Sequence, residues 1–396
     1  MKQDALRGTT GYERLVMGDS DVEPVLSVVL PTLNEERGIG ECLTAIENAL
    51  AELGVTGEVI VSDSSTDRTP EIARAHGARV VEPDREGYGY AYRYGFQFAR
   101  GDYVVMGDAD TTYDFEELPK LMEPILRDEA DLVLGSRFMG EIKPEAMPPL
   151  HRYVGNPLLT RFLNVFYDAG VTDAHSGFRV LRRELIEEMD FTSDGMEFAS
   201  EMIMVAAMKG LRIEEVPIVY HEREGEETLD SLQDGWRHVK FMLMNAPGHL
   251  FTLPGGAFVS VGLLVMVVSV LQRSIGSIYF GSYTMLGGVS LTLIGSQIGS
   301  LGIFSSVAAN PIRDPSDPVT HWVGENAKLE HGATAGLLLF AIGAVVAAYL
   351  LIEWVNSGYT DAPSFAWLIA AFGVALLGLQ AVFHSFFLSM LAGVHD

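Results

Sequence analysis

Residues 104–121 read VVMGDADTTYDFEELPKL. An apolar, strand-like run ends in two acids, Asp108 and Asp110, and the start of a helix follows them. Two carboxylates at the mouth of a buried strand repel each other, and a divalent cation would relieve that repulsion. The stretch therefore predicts a site for Mg²⁺ or Mn²⁺ at the end of a strand. The alternative is that one acid caps the helix and the other lies in solvent.

The segments upstream alternate between apolar runs that suit buried strands and runs with helical periodicity. We predict strands at 25–30, 58–61, 79–81 and 102–106, and helices at 35–53, 69–76 and 89–99. This alternation predicts an α/β fold with a mostly parallel sheet, whose ligands bind beyond the carboxyl ends of the strands. Polar clusters follow these strands at 31–35 (PTLNE), 63–67 (DSSTD) and 108–110 (DAD). We expect the clusters to form one site.

Further strands and helices are predicted downstream of the acid pair. A short strand at 132–134 leads into Gly135-Ser136-Arg137, helices lie near 158–167 and 198–209, and another strand covers 213–219. Residues 231–245 are amphipathic and carry Trp236, which suits a membrane interface.

The last part of the chain has few charges and long apolar runs. Residues 241–396 hold 7 acids and 3 bases, whereas the preceding residues hold 46 acids and 24 bases. Four runs reach the roughly 20 residues that cross a bilayer: Leu250–Leu271, Tyr283–Ala309, Gly332–Ile352 and Ser364–Leu391. We therefore predict a flexible N-terminus (1–24), a catalytic domain (25–230), an interfacial helix (231–248) and a four-helix membrane domain (249–396).

The few basic residues near the apolar runs predict the orientation in the membrane. Arg237 and Lys240 precede the first run, and Arg313 and Lys328 lie between the second and third, whereas the first outer loop has only Arg273. The positive-inside rule then predicts a multi-pass protein of the cell membrane with its catalytic domain in the cytoplasm.

The overall composition excludes some partners and suggests a source. The net charge is −26, and only 6 of the 27 basic residues are Lys. Such an acidic surface suits a salt-rich cytoplasm and predicts a halophilic microbe such as a haloarchaeon, the alternative being an ordinary acidic protein. Nucleic acid is excluded as a partner because no basic patch is present. The lone Cys42 fits a reducing compartment.

Several motifs together resemble those of a known enzyme family. PTLNE, DSSTDRT, DAD after a strand, GSRF, and DAHSGFR at 173–179 resemble the family 2 glycosyltransferases, which have the GT-A fold. Within that family, residues 24–230 are most similar to polyprenyl-phosphate hexosyltransferases, namely dolichol-phosphate mannose and glucose synthases. The resemblance implies transfer of a hexose from a nucleotide sugar, UDP-glucose or GDP-mannose, to dolichyl or polyprenyl phosphate.

The resemblance also implies roles for individual residues. The nucleotide sugar would contact Pro31, Leu33, Glu35, Val61, Asp63, Asp108, Ala109 and Arg223. Asp110 would ligate the metal, with Thr112 standing where relatives often have Gln. Catalysis would rest on Asp108, Asp110 and Arg137.

The acceptor phosphate needs cations that bring it close to another anion. Arg137 and Arg152 are the candidates, because a guanidinium fork matches phosphate geometry. Asn156 and Ser176 could add hydrogen bonds. The alternative for each Arg is a surface salt bridge. Glu201 faces the site in the family pattern, the alternative being a solvated helix acid.

Two motifs depart from those of relatives. Relatives commonly read RxGESKL where this chain reads REGEETL at 223–229, so Thr228 replaces a Lys near the phosphates. Processive polysaccharide synthases carry QxxRW before a membrane span, whereas this chain reads QDGWR at 233–237. We therefore favour a single, inverting transfer over a processive synthase or a non-catalytic nucleotide-sugar-binding protein.

One motif concerns contacts between membrane helices. Gly295-Ser-Gln-Ile-Gly299 permits close helix packing. We interpret it as a contact within the chain, the alternative being a homo-oligomer formed through the membrane helices.

Overall fold

The computed structural model describes residues 14–392, apart from 19, 224–230, 247, 272–273, 276–277 and 309–328. It divides into two compact units, the first ending at Met242 and the second beginning at Leu243. Residues 1–13 of the predicted flexible N-terminus lie outside the described residues. The part from Arg14 onward is packed against the fold, since the amide of Val16 donates to Gly57 and the Arg14 guanidinium donates to Leu50.

Seven strands of the first unit form one sheet in the order β3-β2-β1-β4-β6-β5-β7. Their bounds are β1 Leu26–Thr32, β2 Gly57–Asp63, β3 Arg79–Val81, β4 Tyr103–Met106, β5 Leu132–Ile142, β6 Arg179–Arg182 and β7 Ile213–Tyr220. All neighbouring pairs are parallel except those of β6, which runs antiparallel to β4 and β5. The predicted α/β fold with a mostly parallel sheet is confirmed.

The strands form where the sequence is apolar on both faces. Six of the seven residues of β1 are buried, as are all seven of β2, because helices cover both sides of the sheet. The helices are α1 Ile39–Leu53, α2 Thr69–Ala75, α3 Tyr88–Phe96, α4 Leu118–Leu126, α5 Asn156–Tyr167, α6 Arg183–Met189, α7 Phe198–Met208 and α8 Ser231–Met244. A 3₁₀ turn, Phe115–Glu117, precedes α4, and a π-helical turn, His151–Gly155, precedes α5.

Two strands differ from the sequence-based expectation. The strand predicted at 132–134 extends to Ile142, so Arg137 lies within β5 and not in a loop after it. β6 was not predicted, because its four residues begin and end with Arg. It is stabilised by backbone pairing on both sides, with β4 on one edge and β5 on the other.

A helix, α8, forms at Ser231–Met244, where the sequence predicts an amphipathic one. His238 and Met242 are buried on one face of α8, whereas Trp236 is exposed on another. The Tyr167 hydroxyl on α5 donates to the carbonyl of Met242, which fastens the end of α8 within the first unit.

The second unit contains four helices that are long and apolar enough to cross a membrane. They are α9 Leu253–Val270, α10 Ser282–Ala308, α11 Leu329–Asn356 and α12 Phe365–Ala392, with short strands β8 Ser274–Ile275 and β9 Ile278–Tyr279 between α9 and α10. The predicted positions of the four apolar runs are confirmed. Arg273, Arg313 and Lys328, on which the predicted orientation partly rests, lie outside the described residues.

Glycines bring α9 and α10 together. A Cβ placed on Gly295 would lie 2.6 Å from the amide nitrogen of Val259, and one on Gly255 would lie 2.5 Å from that of Gly299. Only glycine permits backbones this close. The small-residue pattern at 295–299 therefore packs within the chain, as predicted.

Candidate functional site

Acidic side chains and one Arg meet at the carboxyl edge of the sheet. Glu35 follows β1, Asp108 and Asp110 follow β4, and Arg223 follows β7. Arg223 donates to Glu35 over 2.7 Å and lies 3.4 Å from Asp110 Oδ2. The structure thus brings two of the predicted site acids, Glu35 and Asp110, together around the guanidinium of a third predicted site residue, Arg223.

Burial and charge shift the pKa values of this group. Burial first raises the pKa of Glu35, and the nearby Asp110 raises it further, while Arg223 opposes both. For Arg223, burial lowers the pKa, but the charges of Asp110 and Glu35 outweigh it and raise the pKa overall. The guanidinium therefore stays charged and offsets the repulsion among the acids.

Asp108 is held by a Tyr that the sequence analysis missed. The Tyr88 hydroxyl on α3 donates to Asp108 Oδ1 over 3.0 Å. Burial, followed by the charge of Asp110, raises the pKa of Asp108 to about 7. On the other side, a Cβ on Gly177 would lie 2.9 Å from Asp108 Oδ2, so a larger residue at this position would displace the carboxylate.

Asp110 is oriented by the residues that follow it. The backbone amide and hydroxyl of Thr112 both donate to Asp110 Oδ1, at 3.1 and 2.6 Å. Thr111 between them has a φ of +65°, which is rare for a β-branched residue and costs roughly 1–3 kcal/mol. Strain at this turn is compatible with a functional constraint on the position of Asp110.

The donor atoms at this edge suit a divalent cation shared with substrate. Carboxylates of Asp108 and Asp110 and the Thr112 hydroxyl are the oxygen ligands that Mg²⁺ and Mn²⁺ take. In the part of the chain that the structure describes, no group of three or more His, Cys, Asp or Glu residues could hold a metal alone.

One of the predicted nucleotide contacts, Asp63, borders a polar cleft of about 400 Å³. Asp63 lines it with Glu82, Asp84 and Arg85, and accepts a 2.7 Å hydrogen bond from the Thr32 hydroxyl. Of the other predicted contacts, Leu33 is exposed and Pro31 is partly exposed.

Two predicted nucleotide contacts are buried among apolar neighbours. The side chains of Val61 and Ala109 belong to the hydrophobic core. Each could meet a nucleotide only through its backbone. Val61 lies within β2, whereas Ala109 lies in the turn that follows β4, and both side chains pack into the same core cluster.

Arg137 forms a buried ion pair with Asp173, the first residue of the DAHSGFR motif. Its Nε and Nη2 donate to the two Asp173 oxygens at 2.7 and 2.8 Å, and its backbone amide donates to Oδ2. The guanidinium also lies 5.1 Å from the centre of the Tyr220 ring. Burial lowers the pKa of Arg137, but the charge of Asp173 outweighs it and raises the pKa.

The other predicted acceptor residues have different surroundings. Ser176 is fully buried, and its hydroxyl has no hydrogen-bond partner among the described residues. Asn156 donates to Met147 Sδ, and the Arg152 guanidinium lies 5.5 Å from the Tyr153 ring. No contact within the described ranges joins Arg152 or Asn156 to Arg137 or Ser176.

Two further residues named in the sequence analysis form hydrogen bonds with backbone groups near the site. Arg179 is fully buried and donates to the carbonyls of Ala174, Ser176 and Ala199. Glu201 is neither solvated nor in contact with the acid cluster: it accepts from the amides of Thr192 and Ser193, which explains its burial. Thr228 and the rest of 224–230 lie outside the described residues.

Comparison with known proteins identifies the class. The family described as Glycosyl transferase family 2 matches residues 27–190, and the Glycosyltransferase family 2 C-terminal transmembrane region matches 303–392. The chain is 53% identical over 382 residues to the low-salt glycan biosynthesis hexosyltransferase Agl6 of Haloferax volcanii, covering 96% of this chain and 92% of that protein. The predicted halophilic source agrees with this relative.

Two other similarities each cover a little over half of the chain. A dolichyl-phosphate hexose transferase of Haloferax volcanii is 39% identical over 210 residues, covering 53% of this chain and 89% of that protein. A crystal structure of glucosyl-3-phosphoglycerate synthase from Mycobacterium tuberculosis, in complex with Mn²⁺, uridine diphosphate and phosphoglyceric acid, is 27% identical with a TM-score of 0.46. It covers 56% of this chain and 78% of that chain.

The matched C-terminal region and the four apolar helices make the chain a multi-pass membrane protein. The mostly parallel sheet, the acids at its carboxyl edge and the similarity along almost the whole chain lead to one conclusion. The protein is an enzyme that belongs to glycosyltransferase family 2, with a GT-A fold.

Proposed function

We propose that the enzyme transfers a hexose from a nucleotide sugar, such as UDP-glucose or GDP-mannose, to dolichyl or polyprenyl phosphate. The observation that carries this proposal is the cluster of Asp108, Asp110 and Arg223 at the edge of the sheet. The name of the dolichyl-phosphate hexose transferase, 39% identical to this chain, supports the acceptor class. The four membrane helices suit a lipid-linked substrate.

The donor is held by the residues that follow β1, β2 and β4. Asp63 and the cleft beside it bind the nucleoside, and Asp108 contacts the sugar, held in place by Tyr88. Asp110 and Thr112 would hold a divalent cation, Mg²⁺ or Mn²⁺, which would supply positive charge beside the departing nucleoside diphosphate. Arg223 adds a fixed positive charge beside the same group.

The acceptor binds through the segment that contains Asp173 and Ser176. Asp173 takes two donors of the Arg137 guanidinium and so fixes its plane, which leaves Nη1 to meet an anion. Because a phosphate is already ionised at neutral pH, its oxygen attacks the anomeric carbon without a general base. One in-line attack breaks the bond to the nucleoside diphosphate and inverts the anomeric centre.

The membrane orientation follows from the same proposal. Nucleotide sugars are cytoplasmic substrates, and Arg237 and Lys240 before the first membrane helix suit the cytoplasmic face. The product would be a lipid-phosphate sugar that serves as a donor for glycosylation.

The test is to incubate purified protein in lipid vesicles with a prenyl phosphate and each labelled nucleotide sugar in turn. We expect label in the lipid fraction from one donor, with none from an Asp110→Asn variant. A product that carries a ladder of sugars would favour a processive synthase. No transfer from any donor, with nucleotide sugar still bound, would favour a non-catalytic protein.

A further inference from the structure

Two buried histidines meet at one hydroxyl beside the DAHSGFR motif. Ser200 Oγ, on α7, lies 3.2 Å from Nε2 of His175 and 2.8 Å from Nδ1 of His238, on α8. The two imidazole rings are perpendicular, with centroids 4.8 Å apart. The hydroxyl therefore connects the motif to the helix that precedes the membrane domain.

The Ser200 hydroxyl has one proton for these two nitrogens. In one arrangement, His238 Nδ1–H donates to Ser200, whose hydroxyl donates to His175 Nε2, so that His175 carries its proton on Nδ1. When the hydroxyl donates to His238 Nδ1 instead, both hydrogen bonds reverse, and His175 Nδ1 is left with a bare lone pair. Because the hydroxyl donates to one of the two rings in each arrangement, the tautomer of His175 is coupled to that of His238.

His175 Nδ1 is buried and has no hydrogen-bond partner among the described residues, and the same holds for the neighbouring Ser176 hydroxyl. Two orphaned polar atoms on consecutive residues are unusual, because buried polar groups are nearly always paired. Strong contacts fix the backbone on both sides, through the Arg137–Asp173 pair and through the three bonds of Arg179. A ligand is the natural partner for atoms held so firmly.

The surroundings keep His175 neutral. Burial first, and then the nearby His238, Arg137 and Arg179, hold the pKa of His175 well below its usual value. A neutral ring has one donor and one acceptor nitrogen, so its tautomer decides what it offers a ligand. With Arg137 close by, the chemistry of the ligand that fits is an anion with acceptor oxygens.

We propose that His175 Nδ1–H donates a hydrogen bond to the phosphate of the lipid acceptor, and that Ser200 and His238 set the tautomer that makes this bond possible. This inference rests on the proposed function and deepens its acceptor site. His175 contacts substrate in this scheme, whereas Ser200 and His238 are positioning residues. The acceptor site is then complete only when α8 is docked through His238.

Amide variants distinguish the roles of the two nitrogens of the His175 ring. An Asn amide can take the place of Nδ1, whereas a Gln amide reaches the place of Nε2. For His175→Asn we expect a KM for farnesyl phosphate within about twofold of wild type, and for His175→Gln a KM raised about tenfold. The KM for nucleotide sugar should not change in either variant, which also shows that both variants fold.

The positioning role is tested at His238. His238→Asn keeps a donor toward Ser200 and should retain the wild-type KM for farnesyl phosphate, whereas His238→Leu should raise it about fivefold. In protein labelled with ¹⁵N-histidine, adding farnesyl phosphate should convert the His175 Nδ1 signal to that of a protonated nitrogen. The signal is assigned by its absence in His175→Asn.

The outcomes separate this inference from the proposed function. Equal acceptor KM values for His175→Gln and wild type, or a bare Nδ1 in the complex, would overturn the role of His175 and leave the function standing. If wild type binds nucleotide sugar but neither binds nor glycosylates farnesyl phosphate or a longer prenyl phosphate, the acceptor class is wrong, and the inference falls with it.

Discussion

Arg223 donates a 2.7 Å hydrogen bond to Glu35, a residue 188 positions earlier in the chain. The pair joins the segment after β7 to the segment after β1. Both residues are largely buried, so their charges are only weakly screened by solvent. In the proposed function, Arg223 is therefore a cation that is held in place before the nucleoside diphosphate binds.

Arg223→Ala should weaken the binding of nucleoside diphosphate about tenfold or more, because a charge-assisted contact contributes roughly 1.5–3 kcal/mol. Calorimetric titration with UDP and GDP measures this effect. Arg127→Ala, which removes an exposed Arg paired with Glu123, is the control and should bind as wild type does. Equal affinities for Arg223→Ala and wild type would show that this Arg serves only to offset the acids.

Asp110→Asn should abolish transfer and the metal dependence of donor binding, with turnover lowered at least about a hundredfold. The fold should persist, because the Asn oxygen still accepts from Thr112. The measurement is turnover and donor affinity with Mn²⁺, with Mg²⁺ and in excess chelator. Asp114→Asn, a change at a helix cap four residues away, should keep full activity. Undiminished transfer in chelator would rule out the metal role.

Arg137→Lys should raise the KM for prenyl phosphate about tenfold and leave the KM for nucleotide sugar unchanged. Lys keeps the charge but lacks the fork that Asp173 fixes. The matched control is Arg212→Lys, which alters an exposed fork to Asp131 and should change neither constant. A higher KM for the donor in place of the acceptor would reassign Arg137 to the diphosphate.

Asp173→Asn tests the same ion pair from its other side. Removing one partner of a buried pair leaves an uncompensated charge and typically costs about 3–5 kcal/mol. We expect the free energy of unfolding of the first unit to fall by that order, measured by denaturant titration. A loss below 1 kcal/mol would mean that water reaches Arg137 in solution.

The Cys42 thiol should not react with thiol reagents until the first unit unfolds. It is 2% exposed, and burial raises the pKa of its thiol to about 12, so almost no thiolate exists at pH 8. Because it is the only Cys, a thiol reagent gives a single readout of unfolding. Labelling should follow the denaturant-induced transition, and rapid labelling of native protein would contradict the burial.

The lipid product should carry a β-linked sugar when the donor is α-linked. A single displacement by phosphate inverts the anomeric centre, and coupling constants in the NMR spectrum of the purified product distinguish the two anomers. An α-linked product would require a covalent intermediate or another order of steps.

The sequence predicted the parallel part of the fold well, because β1, β2 and β4 are apolar on both faces and each ends in a polar cluster. The rule that ligands bind at the carboxyl edge then placed Glu35, Asp108 and Asp110 together. The antiparallel β6 was missed, since its buried Arg179 reads as a surface residue until its three carbonyl partners are known.

The partners of the site residues were harder to predict than the residues themselves. Tyr88 lies 20 positions from Asp108, and Asp173 lies 36 positions from Arg137. Neither spacing matches a helix or strand period, so only the packing of separate elements reveals the contacts. Ser200 and His238 are on two different helices, and for the same reason no local pattern connects them.

The reversed direction of β6 has a consequence for how specificity could diverge. Arg179 at its start pairs with Met106 at the end of β4, so the segment before β6 arrives beside the acids that follow β4. One short segment, residues 173–178, therefore borders Asp108 and Asp110 without belonging to β1, β2 or β4. Under the proposed function, exchange of this segment alone would change which anionic acceptor the enzyme takes and leave the nucleotide site as it is.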